Sequence, residues 1–231
     1  METPEILFED NHLIAVNKPA GTLVQGDKSG DIPMSDILKD YIGKKYEKPG
    51  AVFLGVVHRI DRPVSGIVIF ARTSKSLVRM NELFREKKIK KTYWAVVKNR
   101  PAEPQGTLIH FLKKNSEKNK SFASEQETPG SSRCWLDYKV LSNSDNYFLL
   151  EITPHTGRHH QIRVQLAAMG CPIKGDTKYG FDRTNENGSI HLHARSIEFL
   201  HPVKKETIQL TAGVPDDVIW KYFEKKMTAT E

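Results

Sequence analysis

Cysteine is scarce in this sequence: Cys134 and Cys171 are the only two among 231 residues. Two thiols are too few for a disulfide framework or for a zinc site built from thiolates. The small secreted folds that depend on disulfides and the thiolate zinc modules are therefore excluded. A reducing cytoplasm is the expected location.

Long hydrophobic runs are also missing. No apolar stretch approaches the roughly 20 residues needed to span a bilayer, and the acidic start, residues 1–5, lacks the apolar segment of a signal peptide. With 38% hydrophobic and 27% charged residues, the composition is typical of a globular protein in water. We expect no membrane association and no secretion.

Several catalytic signatures are absent as well. The sequence has no Gly-x-Ser-x-Gly elbow for a serine nucleophile, no Gly-x-x-x-x-Gly-Lys loop for a nucleoside triphosphate, and neither His-Glu-x-x-His nor Cys-x-x-Cys metal spacing. The adjacent His159 and His160, and His191 with His193, lack an evident third ligand. No metal site is predicted, and chemistry driven by ATP has no support.

What the sequence does have is an uneven positive charge. The net charge is +7, but residues 72–120 alone carry fourteen Lys or Arg against four Glu, an excess of ten. Such a basic sector suits a polyanion, whose neutralised phosphates release counterions on binding. From charge alone, a solvated helix face followed by a lysine-rich loop explains the excess equally well.

The apolar patterns predict an α+β fold. Strand-like segments outnumber helical ones and are often joined by short turns, which favours a mixed, largely antiparallel central sheet flanked by helices. The predicted helices are residues 34–46, 74–88, 159–169 and 215–227. Ser74 is the predicted cap of the second helix, and the polar residues 113–130 are predicted to be an exposed loop. Since no repeat or linker divides the chain, residues 1–231 are expected to form a single domain.

One carboxylate stands out in the first half of the chain. Asp61 lies between two predicted buried strands, residues 51–57 and 67–71, and its neighbours Arg59 and Arg62 supply guanidinium groups. A buried carboxylate is costly unless cations pair with it, so Asp61 is a candidate for a poised, reactive group. For an arbitrary Asp before a Pro-x-Ser-Gly turn, accepting backbone amides would be the commoner role.

Two further polar clusters could join Asp61 in one pocket. Tyr93 interrupts an apolar strand, and residues 158–163 begin a predicted helix with several cationic groups. Each has a plain alternative: Tyr93 as a core aromatic, and Arg163 as half of a surface ion pair.

Together these segments resemble the RluA-type pseudouridine synthases. The resemblance rests on ordered motifs at residues 58–66 (His-Arg-Ile-Asp-Arg-Pro-Val-Ser-Gly), 91–97 (Lys-Thr-Tyr-Trp-Ala-Val-Val), 157–163 (Gly-Arg-His-His-Gln-Ile-Arg), 175–180, 192–194 and 201–202. It implies the pseudouridine synthase fold and an enzyme that isomerises specific uridines in structured RNA, rRNA or tRNA, to pseudouridine. Some relatives begin with a small S4 RNA-binding domain, and no equivalent is expected here.

The reaction explains the residue types. Isomerisation breaks the C1′–N1 bond, turns the uracil over, joins C5 to C1′ and releases the C5 proton, so no metal or organic cofactor is expected. The resemblance makes Asp61 catalytic, either as a nucleophile at C1′ or as a base that removes the 2′ hydrogen. It implies that Arg163 pairs with Asp61 and keeps it ionised, and that Tyr93 stacks on the uracil and helps to remove the C5 proton.

The resemblance also implies RNA contacts. The target base must leave its stack, which is easiest in a loop, so a stem-loop of rRNA or tRNA is the expected partner of a monomeric enzyme. Arg59 is expected to take the place of the flipped base, while Arg62, Arg158 and His160 approach the RNA backbone. A non-catalytic RNA-binding protein that retains the fold is the main alternative, and a metal-dependent hydrolase that uses the histidines is a third.

Four residues depart from the family's pattern: Ile60, Val64, His159 and Gln165. Ile60 is a mild apolar exchange, and Val64 removes a hydroxyl from the turn after the aspartate. His159 and Gln165 replace the usual Thr and His. None of the four replaces the aspartate, the tyrosine or the arginine, so catalysis is expected to be retained.

Overall fold

The computed structural model describes residues 4–229; the first three residues, part of the start predicted to lack a signal peptide, lie outside the described residues. Within this range the chain forms two compact units. Unit 1 comprises the chain up to Lys91 together with Ala194–Gly213, and unit 2 comprises Thr92–His193 together with the residues from Val214 onward. The chain therefore leaves each unit and returns to it. That the whole chain acts as a single domain stays a prediction.

The described residues form eleven strands and four α-helices. The strands are β1 (Glu5–Glu9), β2 (Leu13–Lys18), β3 (Gly55–Val56), β4 (Ser65–Ala71), β5 (Lys90–Val97), β6 (Gln105–Asn115), β7 (Lys120–Ser124), β8 (Ser132–Asn143), β9 (Phe148–Pro154), β10 (Leu192–Leu200) and β11 (Thr207–Thr211). The helices are α1 (Met34–Lys45), α2 (Ser74–Arg85), α3 (Gln161–Ala168) and α4 (Val218–Thr228). Among them, none is both long enough and apolar enough to cross a bilayer. The predicted α+β class is confirmed.

In unit 1, β4 is the central strand. The strand order is β1, β2, β4, β10 and β11, and β3 pairs with the end of β4. All seven residues of β4 are buried, which is the pattern of a strand covered on both faces. On one face, Ile67 and Ile69 pack in an apolar cluster with Met80 of α2. Asp61 is thus followed directly by the most deeply buried strand of this unit.

In unit 2, the strand order is β5, β9, β8, β6 and β7, and each neighbouring pair is antiparallel. Tyr93 is opposite Ile152, which is opposite Tyr138, so these three side chains lie on one face of the sheet. α3 packs on the same face, where its Val164 joins a cluster with Cys134. α4 packs on the opposite face. The sheet therefore presents Tyr93 and α3 together.

The prediction of a loop at residues 113–130 was wrong for the part that forms the β6–β7 hairpin, whereas residues 125–130 are exposed and irregular, as predicted. β6 continues to Asn115, and β7 returns antiparallel to it with Leu112 opposite Ala123. The alternation of β7 escapes detection because its inward positions are the small Ser121 and Ala123 rather than large apolar residues.

Two boundaries were also predicted wrongly. Of the expected strand at residues 51–57, only Gly55–Val56 pairs with a neighbour, and Phe53 is 47% exposed. The cap of α2 is Thr73, whose Oγ1 accepts a 3.1 Å hydrogen bond from Ser76 N, while Ser74 is the first helical residue. Adjacent Thr and Ser are chemically equivalent as caps, so the backbone geometry decides between them.

Candidate active site

Asp61 lies in the turn between β3 and β4 and is half-buried. Its carbonyl accepts a 3.0 Å hydrogen bond from Val64 N, which closes the turn. Below it, Gly66 has a φ of 111°, and a Cβ there would lie 2.4 Å from the carbonyl oxygen of Ala194 on β10. Glycine is required for this close approach. The turn that carries Asp61 is therefore held in place by its own hydrogen bond and by the packing of β10.

A buried lysine accompanies Asp61 in unit 1. Lys18, the last residue of β2, is 0% exposed, and its Nζ donates to the carbonyl oxygens of Thr22 at 2.8 Å and Pro19 at 2.9 Å. Burial lowers its pKa to about 7, while the charge of Asp61 acts in the opposite direction. The ammonium of Lys18 and the carboxylate of Asp61 therefore stabilise each other. The sequence did not indicate this residue, because a lysine beside a Pro-Ala-Gly turn normally points to solvent.

His58 has a structural role beside Asp61. Its Nε2 accepts a 3.1 Å hydrogen bond from Ile69 N, and its ring stacks on Phe84 with the centroids 5.0 Å apart. Burial, assisted by the charge of Lys91, lowers the pKa of His58 to about 3. The ring is therefore neutral, and as an acceptor it attaches the segment before Asp61 to β4.

Arg59 and Arg62 lie on the exposed side of this turn. Arg62 Nε donates to Gly21 O at 2.9 Å, and its Nη2 lies 2.7 Å from Asp31 Oδ2 in a pair that is about half exposed. Such a pair contributes little to stability, so another anion could replace Asp31 at modest cost. Both guanidinium groups are accessible to RNA, and their predicted roles as RNA contacts stay predictions.

Arg163 lies in the first turn of α3 and is 5% exposed. Its Nε and Nη2 donate to Oδ2 and Oδ1 of Asp176 at 2.7 and 2.8 Å. Asp176 is itself 1% exposed. This two-bond arrangement fixes the plane of the guanidinium. The predicted pairing of Arg163 with Asp61 concerns a residue of the other unit and stays a prediction.

Tyr179 connects the surroundings of Arg163. Its hydroxyl accepts a 2.8 Å hydrogen bond from Ser121 N on β7 and lies 2.8 Å from Nδ1 of His160. The Arg163 guanidinium lies 5.2 Å from the centroid of the Tyr179 ring. No role was predicted for Tyr179 from the sequence. Through it, β7, the start of α3 and Arg163 form one buried arrangement.

His160 is placed differently from the other predicted RNA contacts. It immediately precedes α3 in a left-handed conformation with φ of 54°, and it is 9% exposed. Its ring stacks on that of His159 with a centroid distance of 3.7 Å. His160 therefore shapes the entry to α3. A contact of its side chain with RNA stays a prediction.

Two of the residues that depart from the family's pattern, His159 and Gln165, attach α3 to the β6–β7 hairpin. His159 Nδ1 lies 2.9 Å from Ser121 Oγ, and its Nε2 lies 3.1 Å from Asn119 Oδ1. Gln165 is fully buried, and its Nε2 donates to Leu108 O at 3.0 Å. Both ring nitrogens of His159 and Nε2 of Gln165 have partners within the fold, whereas Gln165 Oε1 is buried without a hydrogen-bond partner.

Tyr93 and Arg158 complete the predicted set in unit 2. Tyr93 is half-buried on the face of the sheet that α3 also occupies, whereas Trp94 points into the cluster under α4. Arg158 is exposed in the loop before α3. Unit 1 thus brings together Asp61, the two accessible arginines and Lys18, and unit 2 places Tyr93 on the face carrying Arg163. The meeting of these two sets in one pocket stays a prediction.

His191, one of the histidines considered as a metal ligand, has partners within the protein. His191 Nε2 lies 3.0 Å from Asp217 Oδ1, and its ring stacks on Trp220 with the centroids 5.2 Å apart. Within residues 4–229, no three His, Cys, Asp or Glu side chains are grouped as metal ligands. The hydrogen bond to Asp217 and the stacking contact account for the burial of His191.

Known proteins resemble the chain in sequence and fold. Residues 12–168 match the model of the RNA pseudouridylate synthase family. The chain is 35% identical over 215 residues to the ribosomal large subunit pseudouridine synthase C of Rickettsia bellii. The aligned region covers 92% of this chain and 69% of that protein. It is 33% identical over 234 residues to the tRNA pseudouridine synthase C of Vibrio parahaemolyticus. That aligned region covers 92% of this chain and 91% of that protein. The solved structure of human RNA pseudouridylate synthase domain containing 4 has the same fold, with a TM-score of 0.78 at 24% identity over 97% of this chain and 93% of that one.

Proposed function

The chain belongs to the RNA pseudouridylate synthase family and is an RNA pseudouridine synthase, as predicted, and we propose that Asp61 is its catalytic residue. The observation that carries this proposal is the setting of Asp61 in a closed turn, together with a buried lysine, Lys18, whose pKa is lowered by burial and raised by the charge of Asp61. A carboxylate can act as a nucleophile or as a base.

The proposed reaction begins when the C1′–N1 bond of the target uridine breaks and its electron pair leaves with the uracil. Asp61 either bonds to C1′, in a bond that breaks again when C5 attacks, or removes the 2′ hydrogen as a proton to give a glycal and returns that proton to C2′ when C5 attacks C1′. The uracil turns over, C5 bonds to C1′, the proton on C5 is lost, and N1 takes up a proton in its place. Bonds broken and formed balance without an oxidant, a reductant or water, so the proposed reaction uses no cofactor.

Arg163 and Tyr93 are proposed to complete the active site. The bidentate bond to Asp176 gives Arg163 a fixed orientation, as a group that holds a carboxylate must have. Tyr93 presents a half-buried ring and hydroxyl on the same face of the sheet. In the proposed site Arg163 pairs with Asp61, and Tyr93 stacks on the detached uracil and helps to remove the C5 proton.

The proposed substrate is a stem-loop of rRNA or tRNA. The relatives include one named for the ribosomal large subunit and one named for tRNA, so the class of target stays open between them. A loop favours extrusion of the target base, and accessible Arg59 can fill the space that it leaves. Arg62, Arg158 and His160 are the proposed backbone contacts. We propose that the enzyme acts as a monomer in the cytoplasm, where these RNAs are found.

Release of tritium from RNA labelled at uridine C5 tests the proposal directly. RNA from cells lacking the protein is incubated with the wild type and with Asp61→Asn. The wild type is expected to release label, and the Asn variant, which has a similar shape but no negative charge, is expected to release none. Release by Asp61→Asn at the wild-type rate would overturn the catalytic role of Asp61. Salt-sensitive binding without release by either protein would favour a binding-only protein.

A further inference from the structure

The face of the unit 2 sheet that points away from Tyr93 carries a partly exposed apolar surface with three aromatic rings, of which Phe122 is exposed and Phe111 and Trp135 are half-buried. Trp135 is directly opposite Ile109, and Phe122 is directly opposite Lys113 on the neighbouring strand. Ile109 is 48% and Phe122 47% exposed. We call Ile109, Phe111, Phe122 and Trp135 the outer platform. α4 packs on this face at its other end, against Trp94 and Val96, so helix packing does not explain the exposed rings of the platform.

Cations surround the outer platform. The Arg133 guanidinium carbon lies 5.5 Å from the centroid of the Trp135 ring, and Lys120 Nζ lies 5.8 Å from that of Phe122. Lys113, opposite Phe122, is exposed. Rings flanked by cations suit a polyanion whose own groups can stack.

The nearest acidic group on the same face of β8 has partners within the fold. Asp137 accepts a 2.6 Å hydrogen bond from Thr107 Oγ1, and its other oxygen lies 2.6 Å from His155 Nε2. The carboxylate keeps its negative charge, but Lys113, Lys120 and Arg133 outnumber it beside the rings. A hollow of about 430 Å³ at Asp137 is lined by Lys139 and also by the acidic residues Asp137 and Glu151, so it does not extend the basic surface.

Lys120 connects the outer platform with the opposite side of the sheet. Its Nζ lies 5.8 Å from the Phe122 ring and 5.1 Å from the Tyr179 ring, which packs beside Arg163. β7, which carries Lys120, is the edge strand of this unit. A strand of RNA that leaves the side of α3 can therefore follow positive charge around β7 to the rings.

We propose that the outer platform binds an unpaired RNA segment that flanks the stem-loop carrying the target uridine. This inference rests on the proposed function for the identity of the RNA. The bases stack on Phe122 and its apolar neighbours, and Lys113, Lys120 and Arg133 contact the phosphates. Every base has an aromatic face, so the platform selects for single-stranded RNA and not for one sequence.

Three substrates test the proposal: a minimal stem-loop, the same stem-loop with about ten unpaired nucleotides added at the 5′ end, and the same stem-loop with about ten added at the 3′ end. The test variant is Phe122→Ala with Lys113→Gln. The matched control is Tyr222→Ala with Lys226→Gln on α4, because Tyr222 is 46% exposed and Lys226 Nζ lies 5.8 Å from the centroid of its ring. For the test variant, kcat/KM on one extended RNA is expected to fall about tenfold through KM. Its kcat and KM on the minimal stem-loop, and both values for the control, are expected to stay unchanged.

Three results would overturn the outer platform as an RNA site. They are an equal fall in kcat/KM of the test variant on the minimal and extended RNAs, no fall on either extended RNA, and the same fall in the control variant. Binding of an oligoadenylate of about ten nucleotides, which contains no uridine, tests the surface independently of turnover. Retained oligoadenylate binding by the wild type and loss by the test variant would support the platform even if no pseudouridine forms. Sedimentation that shows a wild-type dimer abolished by the test variant would assign the surface to a second copy of the chain instead.

Discussion

Unit 1 and unit 2 each bury a cation, but they stabilise it in different ways. Arg163 is 5% exposed and forms two parallel hydrogen bonds with the carboxylate of Asp176. Lys18 is 0% exposed and donates to neutral carbonyl oxygens, with Asp61 acting through its charge. Arginine keeps its proton at any ordinary pH and therefore needs an anion when it is buried. Lysine can lose its proton, so its burial makes the charge depend on pH.

The difference assigns separate tasks to the two cations. The Arg163–Asp176 pair is a permanent charge with a fixed plane, which suits a group that orients a carboxylate. Lys18 has a pKa lowered to about 7 by burial, so its charge beside Asp61 is adjustable near neutral pH. Four predictions test this contrast.

The largest effect is expected when Arg163 loses its anion. Asp176→Asn leaves a buried guanidinium without compensation, and we expect the free energy of unfolding to fall by about 3–5 kcal/mol. Urea unfolding measures the change. Asp31→Asn, which breaks the half-exposed pair with Arg62, is the control and should cost less than about 1 kcal/mol. An equal fall in the free energy of unfolding for the two variants would show that the buried pair is no more important to stability than the half-exposed pair.

Lys18 is expected to make stability rise with pH. Between about pH 7 and 10.5 the unfolded chain keeps the lysine proton while the folded protein loses it, so the unfolded state binds more protons and the free energy of unfolding increases. The rise attributable to Lys18 should be about 2–3 kcal/mol between pH 7 and 9. Urea unfolding of wild type and Lys18→Met over this range isolates it. Identical slopes for the two proteins would show that Lys18 is not titrating.

Removing the Tyr179 hydroxyl should have a smaller effect. Tyr179→Phe leaves Ser121 N buried without its acceptor but keeps the ring beside Arg163, so we expect a loss of about 1–2 kcal/mol in the free energy of unfolding. Faster hydrogen exchange of the Ser121 amide would locate the loss. Tyr222→Phe, at an exposed tyrosine, should change stability very little. A loss as large as that of Asp176→Asn would mean that Tyr179 is as important as the ion pair.

The smallest expected effect concerns the coupling between Asp61 and Lys18. The carboxylate raises the pKa of Lys18, so Asp61→Asn should lower that pKa further, by a shift equivalent to about 1 kcal/mol or less. Titration of the Lys18 side chain by NMR in both proteins measures the shift. An unchanged or higher pKa in the variant would show that the two charges do not stabilise each other.

Much of the fold follows from local sequence patterns. β4 is a continuous apolar run bounded by a turn, and α2 carries its apolar residues at helical spacing, so both were predicted close to their observed bounds. The turn at Asp61 was recognisable because its reactive groups lie within a few residues. β7 was missed because small side chains fill its inward positions.

The rest of the candidate site depends on contacts between segments that are distant in sequence. The pairing of Arg163 with Asp176 and the convergence on Tyr179 are set by how α3 and β7 pack. The burial of Lys18 could not be predicted from the sequence, because the direction of a side chain at the end of a strand is set by the turn that follows it. Residue types near Asp61 could therefore be read from the sequence, whereas the partners that fix them could not.

The return of the chain to unit 1 has a consequence for the order of folding during synthesis. Asp61 and β4 leave the ribosome early, but β10, the strand beside β4, is made about 130 residues later. At synthesis rates of about 5–20 residues per second, the edge of β4 stays unpaired for several seconds. Most of unit 2 emerges in that interval as one continuous stretch, Thr92–His193. The unit that carries Asp61 is therefore begun first and completed later, when Ala194–Gly213 emerges.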